Sequence, residues 1–160
     1  MQEYTSKNTS QNQIPSVWKH INKEDENIKV ILDYGCGKYN RFKELIESWD
    51  IAYYGYDPYN RTEQENEIAL KCKPDLITCC NVLNVIDNDK TLKEILTHIA
   101  SFGCSVIISV YEGNKSGEGN VSKKDCYQRN QKSEEYIPLI KEIFGNVRRK
   151  GNIIFAEPNQ

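Results

Sequence analysis

The chemistry-bearing residues cluster early in the chain. The stretch Val30-Ile-Leu-Asp-Tyr-Gly-Cys-Gly37 puts Asp33, Gly35 and Gly37 at the end of an apolar run, and Tyr54-Gly-Tyr-Asp57 puts an acid twenty residues beyond Gly37. Glycine has no Cβ, so the backbone at 35 and 37 can turn tightly and approach a ligand closely. A carboxylate closing the next strand can accept hydrogen bonds from both hydroxyls of a ribose. A lone Gly-x-Gly after a strand is often only a tight turn. Its conjunction with Asp33 and Asp57 points instead to a ribose-bearing cofactor.

The flanking pattern supplies the elements that must position these residues. Lys29 to Tyr34 is short, apolar and β-branched, the signature of a buried strand. Phe42, Leu45, Ile46 and Trp49 then recur at the spacing of one helical face, and Ile51 to Tyr56 is a second strand. Strand, glycine turn, helix and strand make a βαβ unit, whose two strands must be parallel. Further strands are expected at Asp75 to Cys80 and Ser105 to Tyr111, with a short one at Ile68 to Leu70 after a loop or irregular helix from Asn60 to Glu67. A helix carries Leu92, Ile95, Leu96 and Ile99, with Thr91 to Glu94 as a capping box. Ser16 is expected to cap a short helix reaching about Lys23. A last helix spans about Ser133 to Phe144, starting later if Pro138 is to lie in its first turn. Val147 to Arg149 and Ile153 to Ala156 flank Gly151-Asn152 as a terminal hairpin.

Composition limits the function classes. The chain has 160 residues, 38% of them hydrophobic, and a net charge of -2. That length fits one domain, expected over residues 14–160 behind a polar, flexible segment at 1–13. The pI of about 5.8 and mean hydropathy of -0.69 argue against a nonspecific nucleic-acid coat protein and against a membrane span. The expected location is the cytoplasm. Six cysteines occur without a Cys-x-x-Cys pair, and His20 and His98 add no zinc spacing, so no metal site is expected and the thiols are read as reduced.

Asp-x-Gly-x-Gly on the first strand and an acid ending the second resemble motifs I and II of the class I S-adenosylmethionine-dependent methyltransferases, across roughly residues 28–112. The resemblance implies an α/β, Rossmann-like sheet, mainly parallel with a reversed C-terminal hairpin strand and helices on both faces. It implies S-adenosylmethionine as cofactor, held by Asp33, Tyr34, Gly35, Cys36, Gly37, Asp57, Pro58, Asn81 and Val82. Asp33 would lie near the methionine amino group, Gly35 and Gly37 under the cofactor, and Asp57 on the ribose. Asp75 to Ile86 is similar to the family's motif IV region, with Asn81 facing the methionine part and Asn84 the acceptor. The segment Asn81 to Ile86 also resembles methyltransferase-like proteins of phages and bacterial DNA-modification systems. Tyr39 stands where the fuller motif often has a third glycine, and Asn40 breaks the nicotinamide fingerprint.

The acceptor is less legible. No Asn/Asp-Pro-Pro-Tyr/Phe sequence is present, and Cys79 and Cys80 lack the Pro-Cys context of a cytosine C5 nucleophile. Residues 112–131 read as a long polar loop, which in a compact domain is usually functional or disordered. That loop holds Lys123, Lys124, Tyr127, Gln128, Arg129 and Asn130, with Lys132 beyond it and Tyr111 and Glu112 at its base. Asn81, Asn84, Tyr111 and Tyr127 are the candidate catalytic side chains. Methyl transfer from a sulfonium needs mainly alignment, and a base only when the acceptor must lose a proton. The expected acceptor is a small molecule, a nucleotide or a nucleic-acid base, with room for a protein partner in target recognition. A silent cofactor-binding subunit and a cofactor-degrading enzyme are the alternatives.

Overall fold

Every buried strand of the chain alternates between two apolar faces, and this alternation builds the molecule in layers. The computed structural model describes residues 12–121 and 126–159. Its main sheet contains β1 (Val30–Tyr34), β2 (Ala52–Tyr56), β3 (Leu76–Cys80), β4 (Ser105–Ser109), β7 (Val147–Lys150) and β8 (Ile153–Ala156), in the order β2-β1-β3-β4-β8-β7. The first four are parallel, while β8 is antiparallel to both β4 and β7. On one face Leu32, Ile77, Ile108 and Ile154 meet the helices α3 (Asp89–Ala100) and α4 (Ile137–Ile143), through Leu96, Ile99 and Ile140. On the other, Ile31, Leu76, Ile107 and Ile153 meet α1 (Arg41–Glu47) and a 3-10 turn at Ser16–His20, through Phe42, Ile46 and Val17. The fold is therefore the Rossmann-like, mainly parallel sheet with a reversed hairpin and a helical layer on each face.

Several boundaries differ from expectation, each for a local reason. No strand forms at Ile68 to Leu70, and of the loop or irregular helix expected at Asn60 to Glu67 the helix is the outcome from Glu63 onward. Both segments run into α2 (Glu63–Lys71), which buries only Ala69 and so lacks an apolar stripe. The helix is held at its start by Thr62, whose Oγ1 accepts from the Glu65 N–H while the Glu65 side chain accepts from the Thr62 N–H. In α3 the cap is Asn88, accepting from the Thr91 N–H at 2.8 Å, and Thr91 lies inside the helix with its own buried hydroxyl unpaired. Ser16 makes no cap hydrogen bond, and its turn stops at His20. β4 ends at Ser109, two residues before Tyr111, where the Val110 N–H turns to the Asn152 carbonyl. The last helix starts as a 3-10 turn, Ser133–Tyr136, and Pro138 stands in the first turn of α4.

The long stretch after β4 is organised around two buried polar residues. It contains a small hairpin, β5 (Asn120–Val121) with β6 (Tyr127–Gln128). Arg129, 8% exposed, donates from Nε to the Ile86 carbonyl and from Nη2 to Asp89, and its N–H reaches the Asn84 carbonyl. Asn130, also buried, donates to the Glu118 carbonyl and to Asn120 Oδ1. Both side chains are committed to holding the strap. The expected loop residues Lys123 and Lys124 lie outside the described residues.

The cap on α2 gives a direct stability test. Thr62→Ala leaves the Glu65 N–H at the start of a weakly packed helix without its acceptor, and it should lower stability by about 1 kcal/mol in urea unfolding. An unchanged midpoint would show that α2 does not depend on its cap.

Candidate functional site

The glycine turn leaves β1 at the carboxyl edge of the parallel strands, where open α/β sheets hold their ligands. Gly35 and Gly37 have φ of 84° and 71°, a region L-residues rarely adopt. Gly35 and Cys36 donate their N–H groups to the Tyr56 carbonyl, which binds the turn to the end of β2. Space as well as torsion requires glycine at 35, since a Cβ there would lie 2.3 Å from Val82 Cγ2. Val82 follows Asn81, whose φ of 57° lets the chain reverse after β3. Asn81 donates its N–H to the Ser109 carbonyl at 2.8 Å and leaves its side chain exposed.

Asp57 is the centre of the turn's hydrogen bonding. Its Oδ2 accepts from the Gly37 N–H at 2.9 Å and from Asn60 Nδ2 at 3.3 Å. Its Oδ1 accepts from the N–H groups of Tyr59 and Asn60, at 2.9 and 3.1 Å. Its main chain is gripped by Asn66, which accepts from the Asp57 N–H and donates to the Asp57 carbonyl. Arg61 covers the same turn, donating from Nε to the Gly37 carbonyl and from Nη2 to Tyr39 O and Asn40 Oδ1. Sequence reasoning missed Arg61 and Asn66. The signal for Asn66 was Thr62-x-x-Glu65, which marks a helix start and so presents Asn66 to the strand end.

Asp33 is buried beneath the turn. Tyr53 Oη donates to its Oδ2 at 2.6 Å and Thr78 Oγ1 to its Oδ1 at 2.9 Å. Burial pushes the carboxyl up to about 6, opposed by these two hydroxyls and by the positive charge of Arg61. Tyr34 turns to the opposite face, where its hydroxyl lies 2.7 Å from His98 Nδ1 and its ring lies against Tyr56. Its backbone, not its phenol, borders the site. Cys36 donates to the Gly37 carbonyl, and burial raises its thiol to about 12. Burial also holds Cys79 and Cys80 well above the ordinary thiol range, so neither is supplied as a thiolate nucleophile. Pro58 and Tyr59 are exposed beside Asp57.

The acceptor-side candidates separate into two groups. Asn84 is 2% exposed, donates from Nδ2 to Gln128 Oε1 at 3.2 Å, and keeps Oδ1 without a hydrogen bond. Tyr127 sits on β6 with its hydroxyl close to Gly119, where a Cβ would collide with it. Packing of β6 on the Leu83–Val85 turn thus places Asn84 and Tyr127 on neighbouring elements, with Gln128 as the direct partner of Asn84. Tyr111, 58% exposed, stands beyond the end of β4.

A family model described as a methyltransferase domain matches residues 11–116, more than half of the chain. No curated protein matches it. Among solved structures, a 1,6-didemethyltoxoflavin-N1-methyltransferase from Burkholderia thailandensis superposes with a TM-score of 0.64 at 14% identity, covering 91% of this chain and 82% of that one. An S-adenosylmethionine-dependent methyltransferase from Methanosarcina mazei gives 0.62 at 12% identity, over 94% and 100% of the two chains. A sugar N-methyltransferase from a Streptoalloteichus species gives 0.58 at 10% identity, over 90% and 85%. At these identities the likeness is one of fold.

Two measurements probe the turn. Gly35→Val places a β-branched residue at positive φ against Val82, and should cost about 3 kcal/mol or more in unfolding free energy. Val82→Ala in the same chain should recover part of that loss, and no recovery would mean that Val82 is not the obstacle. Asp33 has a folded pKa above its unfolded value, so the folded state binds the extra proton. Its burial therefore costs stability in full above pH of about 6, and the cost fades as pH falls toward about 4. Urea unfolding of wild type and Asp33→Asn should show wild type gaining on the variant by about 2 kcal/mol between pH 7.5 and 4. A gap that does not change with pH would contradict the burial of an ionised Asp33.

Proposed function

We propose that this chain, which belongs to the methyltransferase-domain family, transfers a methyl group from S-adenosylmethionine, holds that cofactor over the Gly35–Gly37 turn and methylates a small-molecule acceptor. The observation that carries this reading is the pairing of two left-handed glycines with a buried Asp57 at the carboxyl edge of the sheet. Asp57 would take the ribose, and the Asn60 side chain, its longest contact at 3.3 Å, is the donor that a ribose hydroxyl would replace. Asp33 would attract the amino group of the methionine part. An ammonium beside a carboxylate that burial has raised to about 6 is stabilised by that carboxylate, and in turn lowers its pKa. The backbone of Tyr34, Cys36, Asn81 and Val82 would line the path between them, with Pro58 beside the ribose.

When bound, S-adenosylmethionine supplies an activated methyl group on a sulfonium. The protein then has to exclude water and align the acceptor with that methyl, for which proximity and orientation supply several kcal/mol. Asn84 is the side chain best suited to orient an acceptor, because its buried Oδ1 has no partner and would accept from an N–H or O–H. Tyr127, Tyr111 and the exposed Asn81 would complete the rim on that side. The small-molecule choice agrees with the two solved relatives named for toxoflavin-precursor and sugar N-methylation.

Isothermal titration with S-adenosylmethionine, and separately with S-adenosylhomocysteine, tests the reading. Micromolar binding of either is expected. Asp57→Ala should weaken it by about 1–3 kcal/mol, roughly tenfold to a hundredfold. A folded Asp57→Ala protein with wild-type affinity would place the ribose elsewhere, and no binding to wild type would remove the transferase reading.

A further inference from the structure

A polar cavity of about 330 Å³ opens beyond the end of β4, lined by Glu112, Lys115, Lys132, Ser133, Arg149 and Asn152 among others. It lies on the same edge of the sheet as the glycine turn, because the Val110 N–H bonds to the Asn152 carbonyl and Asn152 Nδ2 returns to the Val110 carbonyl. One wall is fixed by Arg149, whose Nη1 donates to the Gly151 carbonyl at 2.7 Å and to Ser133 Oγ at 3.3 Å. Glu112, the carboxylate nearest the sheet, is occupied by the Ser133 N–H at 2.7 Å. The other carboxylate of the lining, Glu134, stands at 4.0 Å from Arg149, with both side chains partly in solvent.

Lys115 and Lys132 supply the remaining positive charge of the lining. Among the described residues neither Lys115 nor Lys132 forms an ion pair. Lys115 has a φ of 63°, unusual for lysine, in a turn closed by its N–H on the Glu112 carbonyl. That turn presents the lysine at the cavity mouth. Two lysines and an anchored arginine line one concave site against the carboxylates of Glu112 and Glu134, and this excess of positive charge is suited to an oxyanion.

We propose that this cavity binds an anionic group, phosphate or carboxylate, carried by the methyl acceptor. The assignment to the acceptor rests on the transferase reading, while the anion site itself does not. Adjacent strands lie about 4.8 Å apart, so the three steps from β1 to β8, whose hairpin lines the cavity, separate it from the glycine turn by roughly 14 Å, the span of an elongated charged metabolite. The pull on the anion is exposed to solvent and weakens as salt rises.

The test uses the full chain, followed by amide NMR at low salt, with inorganic phosphate and acetate as separate probes and S-adenosylhomocysteine titrated independently. Phosphate or acetate should move the amides of Lys115, Ser133, Gly151 and Asn152 saturably, the tighter of the two naming the acceptor's group. Lys115→Gln combined with Lys132→Gln should weaken that binding by about tenfold, with S-adenosylhomocysteine affinity unchanged. Both lysines are exposed, so the fold does not depend on them. Neither anion moving these amides, or both binding the double variant as they bind wild type, would overturn the proposal. Anion binding without S-adenosylhomocysteine binding would keep the cavity and remove the transferase reading, and the reverse result would remove the cavity alone.

Discussion

Gly37 points its backbone N–H at the carboxylate of Asp57, and this bond joins the turn after β1 to the end of β2. A hydrogen bond to an ionised acceptor is worth about twice a neutral one, and here three more donors converge on the same carboxylate. Asn66 then fixes the Asp57 backbone from α2, and Arg61 ties the far side of the turn to the start of the same helix. Two segments that chain connectivity leaves independent thus become one rigid rim. A cofactor site needs such a rim, because a ligand held by loose loops loses affinity to the ordering of those loops.

The constraint spreads outward through packing. Val82 fills the space that a side chain at Gly35 would need, so the turn after β1 and the turn after β3 are set against each other. Asp33, below them, satisfies both its oxygens within the sheet, from Tyr53 on β2 and Thr78 on β3. At the far end of the sheet edge Arg129 performs the corresponding task, drawing the strap after β6 onto Ile86 and Asp89. The glycine turn and the strap are therefore each organised by a buried charged residue with its partners in place, as burial of charge requires.

The parts of this arrangement that the sequence made legible are those with a strong period or a torsional demand. Buried strands announce themselves by β-branched runs, and Gly35 and Gly37 by the turn only glycine enters easily. The hairpin around Gly151 was equally readable. What escapes is what depends on tertiary contact: α2 carries almost no apolar stripe, so its sequence reads as a loop or irregular helix followed by a short strand, although Thr62 and Glu65 spell its cap. Arg129 and Asn130 resemble surface recognition residues in the sequence. Their burial follows only once the strap has folded over the Leu83–Val85 turn. Tyr34 shows the same limit at a single position, since strand alternation sends its phenol to His98 and away from the glycine turn.

The central claim is that one cofactor lies across the Gly35–Gly37 turn and Asp57. The most direct measurement is an amide NMR titration of the isotope-labelled protein with S-adenosylhomocysteine. The account predicts saturable shifts concentrated at Gly35, Gly37, Asp57, Asn60, Asn81 and Val82. Shifts that saturate elsewhere while these six amides stay in place would contradict it.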